Sequence, residues 1–174
     1  MPRSGLTLTS ASDRQTWLEQ VTIDGMAPKD LDEVLAIEHR SFPSAWSRCS
    51  YERELRNRNS HYFVARHEGE VIGYVGMWAI GTECHVTTLA VRPDRRRRGL
   101  GSRLLRHLIE FAQRRGATHV TLEVRESNDA ARRLYMTFGF EERGRLPRYY
   151  GDTGENGVVM CRQLKPGGGC EASK

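Results

Sequence analysis

Leu89-Ala90-Val91-Arg92-Pro93-Asp94-Arg95-Arg96-Arg97-Arg98-Gly99-Leu100-Gly101-Ser102 runs from an apolar strand through a basic turn to glycines that open a helix. Gly99 and Gly101 have no side chain to hold a ligand off the backbone. The N–H groups at the helix start can therefore converge on an anion, and the helix dipole adds to the attraction. Leu100, Leu104, Leu105, Leu108, Ile109 and Phe111 then fall on one helical face, opposite Arg103, Arg106, Glu110 and Arg114, with Gly116 as the expected C-cap. No Gly-Lys-Ser/Thr follows the turn to grip a nucleotide phosphate and its magnesium, and Leu104 stands where a dinucleotide fingerprint has its third glycine. What remains is Arg96-x-x-Gly99-x-Gly101, a phosphate cradle in which Arg96, Arg97, Arg98, Gly99, Leu100, Gly101 and Ser102 form the binding set. Read alone, the run of four arginines also fits a solvated turn or an RNA-binding surface.

Outward from this segment the hydrophobic pattern changes period several times. Val21-Thr22-Ile23 alternates as a short strand, Pro28-Lys29-Asp30 opens a helix with an apolar stripe at Leu31, Val34, Leu35 and Glu38, and Phe42-Pro43 stops it. A second helix is expected over 51–56, then strands at 61–66 and 71–80 joined by a Glu68-Gly69-Glu70 turn, and a strand at 84–91. The remainder alternates helix, strand, helix, strand, strand, with a polar loop at 151–157. The order β-α-α-β-β-β-α-β-α-β-β predicts an α/β domain with a mixed sheet covered by helices on both faces. It occupies 19–165, between a flexible leader at 1–18 and a disordered tail at 166–174.

At 174 residues the chain fits one domain, and no apolar run approaches the length of a bilayer span. The leader has no secretory apolar segment, and Asp13 and Glu19 argue against an organellar transit peptide. Cys49, Cys84, Cys161 and Cys170 have neither pairing nor metal-ligand spacing, so free thiols in a cytoplasmic protein without metal are expected. A net charge of +5 favours anionic partners without choosing among them.

The motif at 96–101 resembles the acetyl-CoA site of the GNAT acyltransferases. The resemblance continues through His119-Val120-Thr121-Leu122-Glu123-Val124-Arg125-Glu126-Ser127-Asn128, Leu134-Tyr135 and Phe138-Gly139-Phe140, and covers residues 20 to 164. Within the superfamily, Ile37-Glu38-His39-Arg40-Ser41-Phe42-Pro43-Ser44-Ala45-Trp46-Ser47, Leu122-Glu123-Val124-Arg125-Glu126-Ser127-Asn128, and Arg148-Tyr149-Tyr150 with Gly157-Val158-Val159-Met160 look like the ribosomal-protein alanine N-acetyltransferases. Ala45 replaces an expected proline, and Met136 a residue that is often acidic.

The resemblance implies a GNAT acyl-CoA N-acyltransferase fold, acetyl-CoA as co-substrate, and a fourth strand splayed at a bulge so that main-chain groups of Leu89, Ala90 and Val91 pair with the pantetheine arm. The apolar run fits an ordinary buried parallel strand equally well. The resemblance also maps the base onto Glu123 and the acid onto Tyr135, and adds a coenzyme contact to Asn128, which by itself reads as a helix N-cap. Glu123 sits in an apolar strand stretch, where partial burial would raise a carboxylate toward the range useful for a base. From pattern alone, a strand glutamate also suits a solvent-facing position and a helical tyrosine a core position. Phe42, Trp46, Tyr149 and Tyr150 are candidates for the walls of a peptide groove, with core packing as the alternative for the first two.

Acetyl transfer to an amine needs the amine neutral. At pH 7 this costs about 1 kcal/mol for a protein N-terminus against about 4 to 5 for lysine, which favours an α-amine without excluding other amines. The expectation is a monomeric or weakly dimeric enzyme that acetylates the N-terminus of a ribosomal protein, with no DNA or membrane partner. A GNAT enzyme for a small amine or lysine and a non-catalytic RNA-binding module are the rivals. With no cysteine placed to carry an acetyl group, direct attack in a ternary complex is expected.

Overall fold

Seven strands pair into one mixed sheet in a computed structural model that describes residues 10–164. In chain order the elements are α1 (Ala11–Glu19), β1 (Thr22–Gly25), α2 (Leu31–Ser41), α3 (Arg48–Arg56), β2 (Ser60–His67), β3 (Glu70–Ile80), β4 (Glu83–Val91), α4 (Leu100–Arg114), β5 (His119–Arg125), α5 (Asp129–Thr137), β6 (Glu141–Tyr150) and β7 (Glu155–Gln163). The sheet order is β1-β2-β3-β4-β5-β7-β6. Every neighbouring pair is antiparallel except β4 with β5. From β1 onward the element order follows the sequence pattern; the tail at 166–174 lies outside the described residues.

The described part of the leader, from Ser10 onward, differs from its expectation. Residues 11–19 form a helix, started by a capping box in which the Ser10 hydroxyl accepts from the Asp13 N–H and the Asp13 carboxylate accepts from the Ser10 N–H. Trp17 is buried and Leu18 packs against the core. Two adjacent apolar residues make no helical stripe, so periodicity gave no signal there.

Local rules account for the other elements. Glu68 and Gly69 both have positive φ, 51° and 84°, the geometry of a two-residue hairpin turn whose twist matches the flanking strands. Helix α4 buries Leu100, Leu104, Leu105, Leu108, Ile109 and Ala112 on one stripe. It ends in a Schellman turn, with Gly116 at φ 79°, its N–H on the Gln113 carbonyl and the Ala117 N–H on the Ala112 carbonyl.

One core lies between the sheet and α4, and a second between the sheet and α2 with α3. In the second, the Glu38 position of the predicted apolar stripe holds a buried carboxylate.

The functional geometry follows from β4. Gly76 pairs with Thr88 and Met77 with Val86, so Thr87 is an extra residue on β4 and bulges the strand. The parallel ladder to β5 extends only over Glu83↔His119, Cys84↔Val120 and His85↔Thr121. Beyond His85 the two strands separate.

Candidate active site

The separated ends of β4 and β5 enclose a cleft of about 610 Å³. Thr88 and Leu89 line one side, Glu123 and Arg125 the other, Asn128, Leu134 and Tyr135 the α5 wall, and Phe42, Trp46, Tyr149 and Tyr150 the far end. The three residues of the predicted β4 set, Leu89, Ala90 and Val91, all pair with β3 on one edge and have no β5 partner on the other. Ala90 is buried in the core beside α2, and the Val91 carbonyl accepts from Arg96 Nε at 2.9 Å. Past the bulge β4 remains paired with β3 through Val91, and the edge it leaves open is the one that faces β5.

That turn holds two left-handed residues, Arg97 (φ 63°) and Gly99 (φ 86°), the second being the N-cap of α4. Among the described residues, the N–H groups of 97–102 have no main-chain acceptor, as expected for a helix start. Leu134 and Leu89, both cleft residues, are the side chains nearest Gly101, so the helix start abuts the cleft.

The arginines divide. Besides its bond to Val91, Arg96 donates to the Ser41 hydroxyl at 3.1 Å and ties the turn to the end of α2. Arg97 is exposed, and Arg98 lies over the Trp17 ring at 5.5 Å. The expected phosphate role of Arg96 meets a guanidinium already engaged within the protein.

Glu123 and Arg125 project from the same face of β5, two residues apart. The Glu123 Oε2 lies 2.9 Å from His85 Nε2. His85 sits across the last rung of the parallel ladder, with Nδ1 2.8 Å from the Thr121 hydroxyl and its ring stacked on Trp78. The tautomer that satisfies both contacts accepts from Thr121 at Nδ1 and donates from Nε2 to Glu123. His85 escaped sequence reasoning because only the register of β4 on β5 brings it to Glu123. The visible signal was the alternation His85, Thr87 beside Thr121, Glu123.

Tyr135 is 8% exposed on the inner face of α5. The helix ends just beyond it in another Schellman turn: Gly139 (φ 78°) donates to the Met136 carbonyl and Phe140 to the Tyr135 carbonyl, with the Phe140 ring 5.7 Å from that of Tyr135. The Gly139-Phe140 pair thereby fixes Tyr135. Burial, with a smaller contribution from Tyr150, pushes its hydroxyl up to about 12. Asn128 caps the same helix, accepting from the Ala131 N–H at 3.1 Å.

At the far end, Phe42 and Trp46 line the cleft while packing on the second core. Their loop is anchored from below by Glu38. One of its oxygens accepts from the Trp46 N–H at 2.9 Å, and the other from the hydroxyls of Tyr51 (2.8 Å) and Tyr74. From the opposite side, Asp152 accepts from Arg125 at 2.7 Å and from Ser44 at 3.1 Å, bridging the β6–β7 turn to β5 and to the loop after α2. The Arg125 hydrogen bond holds the Asp152 carboxyl below its usual range. Arg125 also lies 4.0 Å over the Tyr150 ring, and Glu155 accepts from the Ser127 N–H at 2.6 Å. Sequence reasoning missed Glu38, Arg125 and Asp152. Tyr149 remains 48% exposed and is the open part of the wall.

Among the described residues no group of three or more His, Cys, Asp or Glu could hold a metal ion, and no helix is long and apolar enough to cross a membrane. Cys49, Cys84 and Cys161 are free thiols, and Cys170 lies outside the described residues.

A bulged strand splayed from its parallel neighbour, a glycine turn opening a helix at the cleft's edge, and a carboxylate and a tyrosine on its walls are the framework of an acyltransferase that draws on acyl-coenzyme A. The model of the acetyltransferase (GNAT) family matches residues 31–140, and the chain belongs to that family of acetyl-CoA-dependent N-acetyltransferases.

Within it, the chain is similar to the RimI-type enzymes. It is 38% identical over 150 residues to the N-alpha-acetyltransferase RimI of Mycobacterium tuberculosis, across 83% of this chain and 93% of that one. It is 32% identical over 141 residues to the [ribosomal protein bS18]-alanine N-acetyltransferase of Escherichia coli K12, across 80% and 95%. The crystal structure of the ribosomal-protein-S18-alanine N-acetyltransferase from Escherichia coli matches with a TM-score of 0.79 at 30% identity, over 86% of this chain and 97% of that one.

Proposed function

We propose that this enzyme acetylates a protein N-terminal α-amine by direct attack in a ternary complex, with the N-terminal alanine of a small-subunit ribosomal protein as its substrate. The observation that carries the proposal is the pairing of Glu123 with His85 in a cleft whose other walls are Tyr135 and an aromatic acceptor end. Acetyl-CoA supplies the acetyl thioester. The N–H groups of residues 97–102 receive its diphosphate, with Arg97 and Arg98 adding charge, and the β4 edge at Leu89 aligns its pantetheine arm. Asn128 adds a polar contact on the α5 side.

Glu123 accepts the proton of the α-ammonium through water, so the neutral nitrogen attacks the thioester carbon. As the new C–N bond forms and the C–S bond breaks, Tyr135 donates to the departing sulfur, and the second proton shed by the nitrogen as it becomes an amide returns through water to the tyrosinate. A hydroxyl that keeps its proton to about pH 12 is loaded as a donor at neutral pH. The small cost of neutralising an α-amine suits a single carboxylate base, and lysine would demand more. Phe42, Trp46, Tyr149 and Tyr150 form the walls against which the first residues of the acceptor lie.

Mass spectrometry of N-terminal peptides and small amines incubated with acetyl-CoA tests this. Peptides beginning with alanine are expected to be acetylated at the α-amine, and Glu123→Gln to reduce turnover by about a hundredfold or more. Preference for small amines, or full activity of both Glu123→Gln and Tyr135→Phe, would overturn it.

A further inference from the structure

Helix α1 lies outside the segment matched by the family model, yet it is docked against the turn that opens α4. Trp17, 7% exposed, contacts the His67 ring at 5.6 Å and carries the Arg98 guanidinium at 5.5 Å from its ring centre. The next residue, Leu18, packs so close to Gly99 that a β-carbon there would lie 3.3 Å from its Cδ1. The helix is pinned beyond its end, since the Leu18 carbonyl accepts from the Val21 N–H and Gln20 Oε1 lies 3.3 Å from His67 Nε2. Consecutive residues of α1 thus hold the cation before Gly99 and fill the space beside the glycine itself.

We propose that α1 is a brace for the diphosphate turn: Trp17 and Leu18 hold Arg98 and Gly99 in the coenzyme-binding conformation, so that helix docking and acetyl-CoA binding strengthen one another. The proposal rests on the assignment of 97–102 to the coenzyme's diphosphate. Arg97 and Gly99 are both left-handed, a conformation costly for arginine, and four successive arginines repel one another. Left unsupported, such a turn must be ordered at the moment of binding, which subtracts from affinity. The face of Trp17 attracts Arg98 and offsets part of that repulsion. Trp17 and Leu18 do not line the cleft, so they act as positioning residues through the turn. Coupling of this kind is reciprocal: whatever factor the docked helix adds to coenzyme affinity, the coenzyme adds to helix docking.

Calorimetric binding of acetyl-CoA to the full chain, without acceptor, compares wild type with Trp17→Leu and Trp17→Phe. Hydrogen exchange of the wild-type protein is measured with and without saturating acetyl-CoA. Trp17→Leu is expected to weaken binding roughly three- to tenfold, and Trp17→Phe to recover most of it. The loss should appear in the KM for acetyl-CoA and leave the KM for the acceptor in place, a split that general destabilisation would not produce. Saturating acetyl-CoA should slow exchange across α1 by a similar factor. Equal binding by wild type and Trp17→Leu, or exchange in α1 indifferent to acetyl-CoA, overturns the brace and leaves the assignment of the turn standing. A wild-type protein that fails to bind acetyl-CoA overturns that assignment, and the brace with it. Should Trp17→Leu not fold, exchange in the wild type decides alone.

Discussion

His85 Nε2 stands 2.9 Å from Glu123 Oε2, across the last rung of the β4–β5 ladder before the strands part. The contact is a consequence of the bulge at Thr87. Strands that stayed paired beyond His85 would close the space into which Glu123 points, and strands that parted one rung earlier would carry His85 away from it. With Thr121 holding the other ring nitrogen and Trp78 stacked on its face, the imidazole has little freedom. It orients the carboxylate to which the proposed mechanism assigns the amine proton.

Replacing His85 with alanine is therefore expected to lower kcat/KM for a peptide acceptor about tenfold or more, the loss of one hydrogen bond to a charged group. Acetyl-CoA binding should be unaffected. Steady-state kinetics with both substrates varied, alongside binding of acetyl-CoA alone, checks both parts. An unchanged kcat/KM would remove His85 from the machinery.

Much of this site could be read from residue order, and the gaps share one physical cause. The turn at 96–101, the α4 stripe and the Gly139-Phe140 exit are local patterns, in which spacing along the chain determines spacing in the fold. His85 beside Glu123, Glu38 beneath Trp46, and Asp152 between Ser44 and Arg125 are separated by 38, 8 and up to 108 positions, and depend on strand register or loop closure. A carboxylate at 38 completes an apolar stripe on a helical wheel; only the two tyrosine hydroxyls opposite it show why it is buried. Arg96 belongs to the local motif, while its contacts to the Val91 carbonyl and the Ser41 hydroxyl depend on how the turn packs.

Glu38 supports the loop of Phe42 and Trp46, proposed to wall the acceptor, through groups that donate to it. In Glu38→Gln one acceptor oxygen becomes an NH₂ donor facing either the Trp46 N–H or the tyrosine hydroxyls. Denaturant unfolding should show a loss of about 1–3 kcal/mol, the cost of leaving a buried polar group unsatisfied. In the folded fraction, the KM for the acceptor should rise while that for acetyl-CoA does not. An unaltered unfolding midpoint would mean that the network rearranges freely.

Tyr135 makes alkaline stability a direct readout of its burial. An unfolded tyrosine titrates near 10 and the folded Tyr135 near 12, so its contribution is fully present below about pH 10 and is lost as pH rises toward 12. The size of that contribution is roughly 2–3 kcal/mol. Tyr51, Tyr62 and Tyr74 are raised by burial as well, so the wild-type protein should lose stability steeply above pH 10. In Tyr135→Phe the slope of unfolding free energy against pH in that window should be smaller by about 1.4 kcal/mol per pH unit, one proton fewer. Equal slopes would place the Tyr135 hydroxyl in contact with water.

Arg125 ties β5 to the end of β6 and the turn after it, donating to Asp152 and Thr153 and covering Tyr150. Arg125→Met keeps much of the aliphatic stem but releases the β6–β7 turn from β5 and, through Asp152, from Ser44. The KM for a peptide acceptor is expected to rise about tenfold, with acetyl-CoA binding unchanged because the turn proposed for the coenzyme lies at the other end of the cleft. Parallel weakening toward both substrates would point instead to a general loosening of β5.

Gly99 and Gly101 separate folding from binding. At Gly101 an added β-carbon would meet Leu134 at 3.5 Å and Leu89 at 3.9 Å, ordinary contact distances, and the backbone there is helical. Gly101→Ala should therefore leave stability unchanged or raise it by about 0.4–1 kcal/mol through the unfolded chain. The same methyl group stands beside the N–H groups assigned to the diphosphate, so acetyl-CoA affinity should fall about tenfold. Gly99→Ala combines a φ of 86° with a 3.3 Å approach to Leu18, and should cost about 1–2 kcal/mol of stability in the free protein. Thermal unfolding and coenzyme titration on the two variants are expected to give opposite patterns: Gly101→Ala folds well and binds poorly, whereas Gly99→Ala is already destabilised without ligand. If Gly101→Ala binds acetyl-CoA as tightly as wild type, close backbone approach is not why glycine occupies that position.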